Sequence, residues 1–201
     1  MSLNFYDIND FKGEINLDLS NDSNVLAQFD ALAVQIGNDI LKDLLNSSLL
    51  NDLNDDLVSG VPQTQEYIDL VDGVTYVDDN QETVNYEGLK RMLRYFVYEQ
   101  YLDISHSQNS SNGQEYGNNE NATKLTRFQL RKARERIQNK AVDLYFDAIK
   151  YIDDNYSTYF TANDYSLWMP KKKTYLGKIL TVSPRNENFY KYRTDRIKWP
   201  T

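Results

Sequence analysis

The stretch from Tyr86 to Tyr101, YEGLKRMLRYFVYEQY, constrains the fold more than any other part of this chain. Within it and just after it, large side chains fall on nearly every side of a helix: Met92, Leu93, Tyr95, Phe96, Val97, Tyr98, Tyr101 and Leu102. A helix that is apolar all round has to be surrounded by other helices or by another chain. Its tyrosines also keep a hydroxyl that needs a partner, which suits a protein interface with one wet edge.

Two further stretches have the apolar period of a helix. Val25, Phe29, Leu32, Ile36, Ile40 and Leu44 recur at spacings of three or four residues, which predicts an amphipathic helix. Asn46-Ser47-Ser48 should break it, and Leu49 to Leu57 should form a short second helix. Gln63 to Leu70 is predicted as another short helix. The same period from Ile137 to Ile152 predicts a long helix from Lys124 to about Tyr156.

The remaining segments complete the predicted architecture. VTYV and TVNY flank a polar turn within residues 74–86, which is typical of a β-hairpin. Residues 106–123 are polar and of low complexity, so we expect a mobile loop. The fold class is therefore mainly α, a bundle of about four to five helices with a small β-hairpin. We divide the chain into an N-terminal arm (1–19), a helical domain (20–160) and an extended basic, aromatic C-terminal arm (161–201).

Charge is distributed unevenly along the chain, whose net charge is −8. From Phe160 onward there are nine basic and three acidic residues, a net charge of +6. Residues 1–159 carry 13 basic against 27 acidic residues, a net charge of −14. The two parts attract each other, and that attraction can act within one subunit or between neighbouring copies.

Composition excludes several kinds of chemistry. The chain has no cysteine, so disulfides, thiolate metal sites and cysteine nucleophiles are absent. The start, MSLNFYDINDF, lacks the basic and apolar regions of a signal peptide. No apolar run approaches the ~18 residues that a membrane span requires. We therefore expect synthesis in the cytoplasm and no membrane partner.

Candidate catalytic and metal-binding residues are few. The only histidine, His106, opens the polar loop with no nucleophile in a recognisable motif, so a solvated loop histidine is the expectation. The acidic run from Asp52 to Asp56 resembles a calcium loop, but Leu57 and Gln63 stand where glycine and a bidentate glutamate are required. A solvated acidic helix face is favoured instead. We expect no enzymatic activity, no metal and no cofactor.

Two basic groups suggest binding surfaces. Basic residues from Arg127 to Lys140 share one helix, and Lys171-Lys172-Lys173 lies between Trp168 and Tyr175. Both could contact nucleic acid, but a body of −14 would repel it. Contact with acidic surfaces of protein partners is favoured. The residues that we select as interface candidates are Tyr95, Tyr98, Tyr101, Arg127, Arg131, Arg134, Trp168, Tyr175, Tyr190 and Trp199.

The order of these pieces resembles a known family. An acidic amphipathic helix is followed by LKRMLRYFVYEQYL, a polar loop, and the long helix RKARERIQNKAVDLYFDAIKYI ending in NYSTYF. Over about residues 20–160 this resembles the head–tail connector (adaptor, head-completion) ring proteins of tailed phages, closest to those of crAss-like and other Bacteroidetes phages. The hairpin at 74–86 and the longer C-terminal arm depart from the minimal family pattern.

The resemblance implies a structural virion protein without enzymatic activity. It implies a homo-oligomeric ring of about twelve copies in the neck, assembled in the host cytoplasm. The ring would contact the portal protein and other neck or tail proteins, and viral DNA would pass through it transiently during genome ejection. The alternative is a nucleic-acid-binding helical module that uses residues 127–140 and Lys171–Lys173.

Overall fold

The computed structural model describes residues 3–6, 23–78, 80–105, 108–110, 113–115, 127–161, 164, 165, 168 and 170. Five helices lie in these ranges: α1 (Ser23–Asp56), α2 (Gln65–Asp72), α3 (Gly88–Ser105), α4 (Arg127–Asp154) and α5 (Tyr156–Tyr159). Three two-stranded antiparallel hairpins accompany them: β1 (Leu57–Val58) with β2 (Val61–Pro62), β3 (Val74–Val77) with β4 (Thr83–Tyr86), and β5 (Gln108–Ser110) with β6 (Gly113–Glu115). The mainly α prediction is confirmed.

Helix α1 is broken where its sequence predicts a break. Asn46 has φ 60° and ψ 178°, outside the helical region, so α1 consists of two helical segments joined at this residue. The Asn46 side-chain oxygen accepts a hydrogen bond from the backbone N–H of Leu49 at 3.0 Å. That bond caps the second segment, in the way that asparagine commonly satisfies the first free N–H groups of a helix.

Helix α3 is the centre of the bundle. It packs against α1, α2 and α4, which explains its apolar character on all sides. Leu89, Met92, Leu93 and Val97 are fully buried. The predicted helix is therefore confirmed. Helices α1, α2 and α4 of the same chain supply its packing partners.

The β3–β4 hairpin is confirmed over the predicted residues, with Val74 opposite Tyr86 and Val77 opposite Thr83. Two glycines hold it against the helices. A Cβ at Gly73 would lie 2.5 Å from the carbonyl oxygen of Tyr86, and a Cβ at Gly88 would lie 2.5 Å from the carbonyl carbon of Asp72. Both glycines have positive φ, so only glycine fits this close approach of α2 and α3.

The first compact unit is longer at both ends than the predicted helical domain. The first compact unit runs from Met1 to Lys171, beyond the predicted 20–160. Leu3 and Phe5 are buried, and the N–H of Asn4 donates to the carbonyl of Gly60 at 2.9 Å. The first described residues of the predicted N-terminal arm therefore belong to the core.

The predicted polar loop, 106–123, lies largely outside the described residues. Its described parts, 108–110 and 113–115, are the antiparallel strands β5 and β6, with Asn109 opposite Gln114. This segment has no alternation of apolar and polar residues that would predict strands. The predicted mobility of the other loop residues, His106 among them, lies outside what the structure describes.

Candidate interaction surfaces

The three tyrosines that were selected on α3 differ in exposure. Tyr95 is buried, whereas Tyr98 and Tyr101 are half-buried. Burial raises the pKa of Tyr98. The Tyr101 ring packs edge-to-face on Phe29 of α1, with ring centroids 5.2 Å apart. At least one face of the Tyr101 ring therefore packs inside the subunit. Of the three selected tyrosines, Tyr98 stays the main candidate for a contact with another protein.

Two basic residues of α4 form ion pairs with carboxylates on α3 or directly before it. The Nε–H of Arg134 donates to a carboxylate oxygen of Glu99 at 2.7 Å. The Glu99 side chain is only 4% exposed while that of Arg134 is 40% exposed, so the arginine neutralises a buried charge from the surface side. Lys140 reaches Glu87 at 3.2 Å in the same way. Arg127 and Arg131 lie in α4, but their side chains are outside the described part of the structure.

Trp168 is wrongly predicted as an interface anchor. Its side chain is fully buried, and its indole N–H donates to the carbonyl oxygen of Leu44 at 2.8 Å. Phe160 and Tyr165 flank the indole at 5.5 and 6.2 Å between ring centroids. Trp168, which lies beyond the predicted boundary at residue 161, therefore packs into the core of the first compact unit.

The other arm candidates lie outside the described residues. These are Tyr175, Tyr190, Trp199 and the lysine run 171–173. Their predicted contacts with protein partners stay predictions.

A tyrosine cluster at the end of α4 was not predicted. Tyr86 and Tyr151 stack with their centroids 4.2 Å apart. The hydroxyls of Tyr151 and Tyr159 lie 3.1 Å apart, and the Tyr159 hydroxyl donates to the carbonyl of Glu66 at 2.8 Å. Burial raises the pKa of Tyr86 and of Tyr159 well above the ordinary tyrosine value. The two hydroxyls find partners inside the subunit, one of them a backbone carbonyl, so tyrosine richness here indicates packing rather than an outer interface.

A buried carboxylate anchors the β3–β4 hairpin to α4. The Asp78 side chain is 2% exposed and receives the Lys150 ammonium at 3.0 Å. It also accepts the backbone N–H groups of Asn80 and Glu82 at 2.9 and 3.0 Å. The Lys150 ammonium and these N–H groups hold the pKa of Asp78 at about 2, below the ordinary aspartate value.

The acidic run at the end of α1 has a structural role. Asp56 accepts the backbone N–H of Gln63 at 2.7 Å and that of Thr64 at 3.1 Å, and so ties the end of α1 to the start of α2. Leu57 is buried. Within the described residues, no group of three or more His, Cys, Asp or Glu side chains is arranged to hold a metal ion.

Comparison with known proteins places the chain in a family. Residues 41–173 match the family of unknown function DUF6712. The chain belongs to this family. The matched region begins just before the α1 break and ends just after Trp168, so it includes the Leu44–Trp168 contact. No curated protein and no solved structure matches the chain.

Among the described residues, no helix combines the length and the apolar character that a membrane crossing requires.

Proposed function

We propose that this protein is a structural virion component that forms a ring in the neck of a tailed phage. The ring would join the portal vertex to the tail and line or seal the DNA exit channel. The protein would act without enzymatic chemistry, through contacts with copies of itself, with the portal protein and with other neck or tail proteins. The proposal rests on the family resemblance of the sequence.

The observation that supports it most is the order of helices in the fold. The resemblance depends on an amphipathic helix, an all-round apolar helix and a long helix that ends in NYSTYF. The fold has these elements as α1, α3, and α4 with α5. A compact helical body followed by a basic segment gives each copy two unlike surfaces, as a heterologous ring contact requires.

Nucleic-acid binding through the basic helix is the alternative. The structure gives a reason to rank it second, because Arg134 and Lys140 are engaged by Glu99 and Glu87. A cation that neutralises a glutamate of its own subunit has less charge to offer a phosphate, and phosphate neutralisation supplies most non-specific affinity.

The test is the native mass of the full chain, with electron microscopy of the same sample and a titration with duplex DNA at moderate salt. A closed ring of about twelve copies, formed alone or on a portal ring, supports the proposal. A monomer that binds DNA tightly and never assembles refutes it in favour of the nucleic-acid-binding module.

A further inference from the structure

The turn between α1 and α2 presents an apolar pair to solvent. In the β1–β2 hairpin, Leu57 and Pro62 point inward, whereas Val58 and Val61 are 59% and 47% exposed. The two valines are cross-strand partners. The two turn residues between them, Ser59 and Gly60, have positive φ angles of 54° and 80°, as tight two-residue hairpins require. The pair is therefore held on a short, well-defined turn.

Exposed carboxylates precede and follow this turn along the chain. Asp52 and Asp55 lie in the last turns of α1, and Glu66 lies in the first turn of α2; all three are exposed. The hydrogen bonds of Asp56 to the start of α2 bring these helix ends together. Tyr67, which is half-buried, lies within the electrostatic influence of both helix ends. Burial and the charges of Asp52, Asp56 and Glu66 raise its pKa. We call Asp52, Asp55, Val58, Val61 and Glu66 the acidic turn surface.

The acidic turn surface has no basic partner among the described residues. From Asp43 to Glu87 the sequence has eleven acidic residues and no basic one. Asp72, Asp78 and Glu87 are each matched by a lysine or arginine from α3 or α4. In the part of the chain that the structure describes, no such ion pair reaches Asp52, Asp55 or Glu66. Exposed apolar side chains with unpaired like charges on both sides of them along the chain favour a basic, apolar occupant.

We propose that the acidic turn surface receives the C-terminal segment, residues 172–201, of a neighbouring copy. That segment has eight basic and two acidic residues, a net charge of +6, together with Tyr175, Tyr190 and Trp199. Its charge complements the acidic residues, and its aromatic side chains would cover the valine pair. This inference rests on the proposed function, since in a ring of identical copies one surface of each copy contacts a different surface of the next.

The first experiment compares two full-length variants that change the net charge equally. The test variant is Asp52→Asn/Asp55→Asn/Glu66→Gln, and the control is Asp39→Asn/Glu82→Gln/Asp143→Asn, which alters exposed acidic residues elsewhere. Sedimentation equilibrium should show roughly tenfold weaker self-association for the test variant, since it removes three exposed charges that attract the basic segment. The control should associate like wild type. Equal weakening in both variants, or none in the test variant, overturns the proposal.

A second experiment identifies the occupant. Equal amounts of ¹⁵N-labelled and unlabelled full-length chain are mixed and treated with a carbodiimide, which joins lysines to carboxylates in direct contact. We expect links from Lys172, Lys173 or Lys178 to the acidic turn surface in which the two peptides carry different isotopes. Links within one isotope only, or links mainly to Asp39 and Glu82, overturn the proposal.

The two proposals fail in distinguishable ways. A test variant that assembles into rings as readily as wild type at the same concentration overturns this docking surface and leaves the ring function in place. A wild-type chain that forms no ring, alone or on a portal, overturns the ring function and this inference with it.

Discussion

Replacing Trp168 tests whether the chain beyond α5 belongs to the core or to an arm that contacts other subunits. The indole is fully buried and its N–H donates to the carbonyl of Leu44. Leu44 lies two residues before the break at Asn46, so its carbonyl is among those that a helix end leaves without an intrahelical partner. Trp168 therefore fills space and also satisfies a backbone group that the broken helix exposes.

The magnitude follows from these two roles. Truncating a buried tryptophan to alanine costs about 3–5 kcal/mol, and leaving a buried carbonyl without its donor adds ~1–3 kcal/mol. Because water can enter the cavity and solvate that carbonyl, we expect Trp168→Ala to cost about 4–6 kcal/mol in the free energy of unfolding. For a chain of this size that corresponds to a melting temperature lower by roughly 8–24 °C.

The assay is thermal unfolding of the full chain, followed by circular dichroism. Trp168→Phe keeps most of the ring packing but removes the N–H donor, so it should cost about 1–3 kcal/mol and separate the two contributions. Trp199→Ala is the matched control at a position outside the first compact unit, where we expect little change in melting temperature. If Trp168→Ala melts like wild type while its self-association is lost, the core role is refuted and the arm interpretation stands.

Three further predictions concern charged and titrating groups. Arg134→Ala should lower the free energy of unfolding by about 1–3 kcal/mol, because the buried Glu99 carboxylate loses its partly exposed cation. Urea unfolding measures this difference, with Arg136→Ala as the exposed control. Asp78 has a lowered pKa in the fold, so its stabilisation is present above about pH 4 and is lost as pH falls toward its folded pKa of about 2. The melting-temperature difference between wild type and Asp78→Asn should therefore shrink in acid, and a constant difference would contradict this. Buried tyrosines such as Tyr159 have a raised pKa in the fold. Stability should therefore fall as pH rises above about 10, where these tyrosines ionise in the unfolded chain but not yet in the folded one. Tyrosinate absorbance should increase together with the loss of helical circular dichroism, not before it.

The helices could be predicted because their signals are local. The period from Ile137 to Ile152, the apolar residues of α3 and the Asn46-Ser47-Ser48 break each depend on neighbours within a few turns. The β3–β4 hairpin was equally local, with β-branched and aromatic residues on both sides of a polar turn. The β1–β2 hairpin was missed since strands of two residues leave no alternation to detect.

The roles of individual side chains could not be predicted for the opposite reason. Trp168 contacts Leu44 across 124 positions, and Arg134 contacts Glu99 across 35. A tryptophan in an aperiodic segment and an arginine on a basic helix have the same sequence appearance whether their partner is internal or external. The tyrosines show the same ambiguity, because a hydroxyl that needs a partner can find it in a backbone carbonyl of its own chain, as Tyr86 does at Leu70.

The effect of Gly37→Ala on the free energy of unfolding tests whether Phe5 packs against α1. The sign of the change distinguishes a packed N-terminal segment from a free one. Gly37 lies inside α1, where replacing glycine by alanine ordinarily stabilises a helix by roughly 0.5–1 kcal/mol. Here the added Cβ would lie 2.6 Å from the Phe5 ring, and Phe5 is only 3% exposed. The ring would have to move out of a packed site, which typically costs about 1–3 kcal/mol.

Gly37→Ala should therefore destabilise the wild-type chain, contrary to helix propensity. In a Phe5→Ala background the clash is absent, and the same substitution should become neutral or stabilising. Urea unfolding of the two single variants, the double variant and wild type measures this coupling directly. If Gly37→Ala stabilises the chain equally in both backgrounds, Phe5 does not occupy the α1 surface in solution. The N-terminal residues would then be an arm, as their sequence alone suggests.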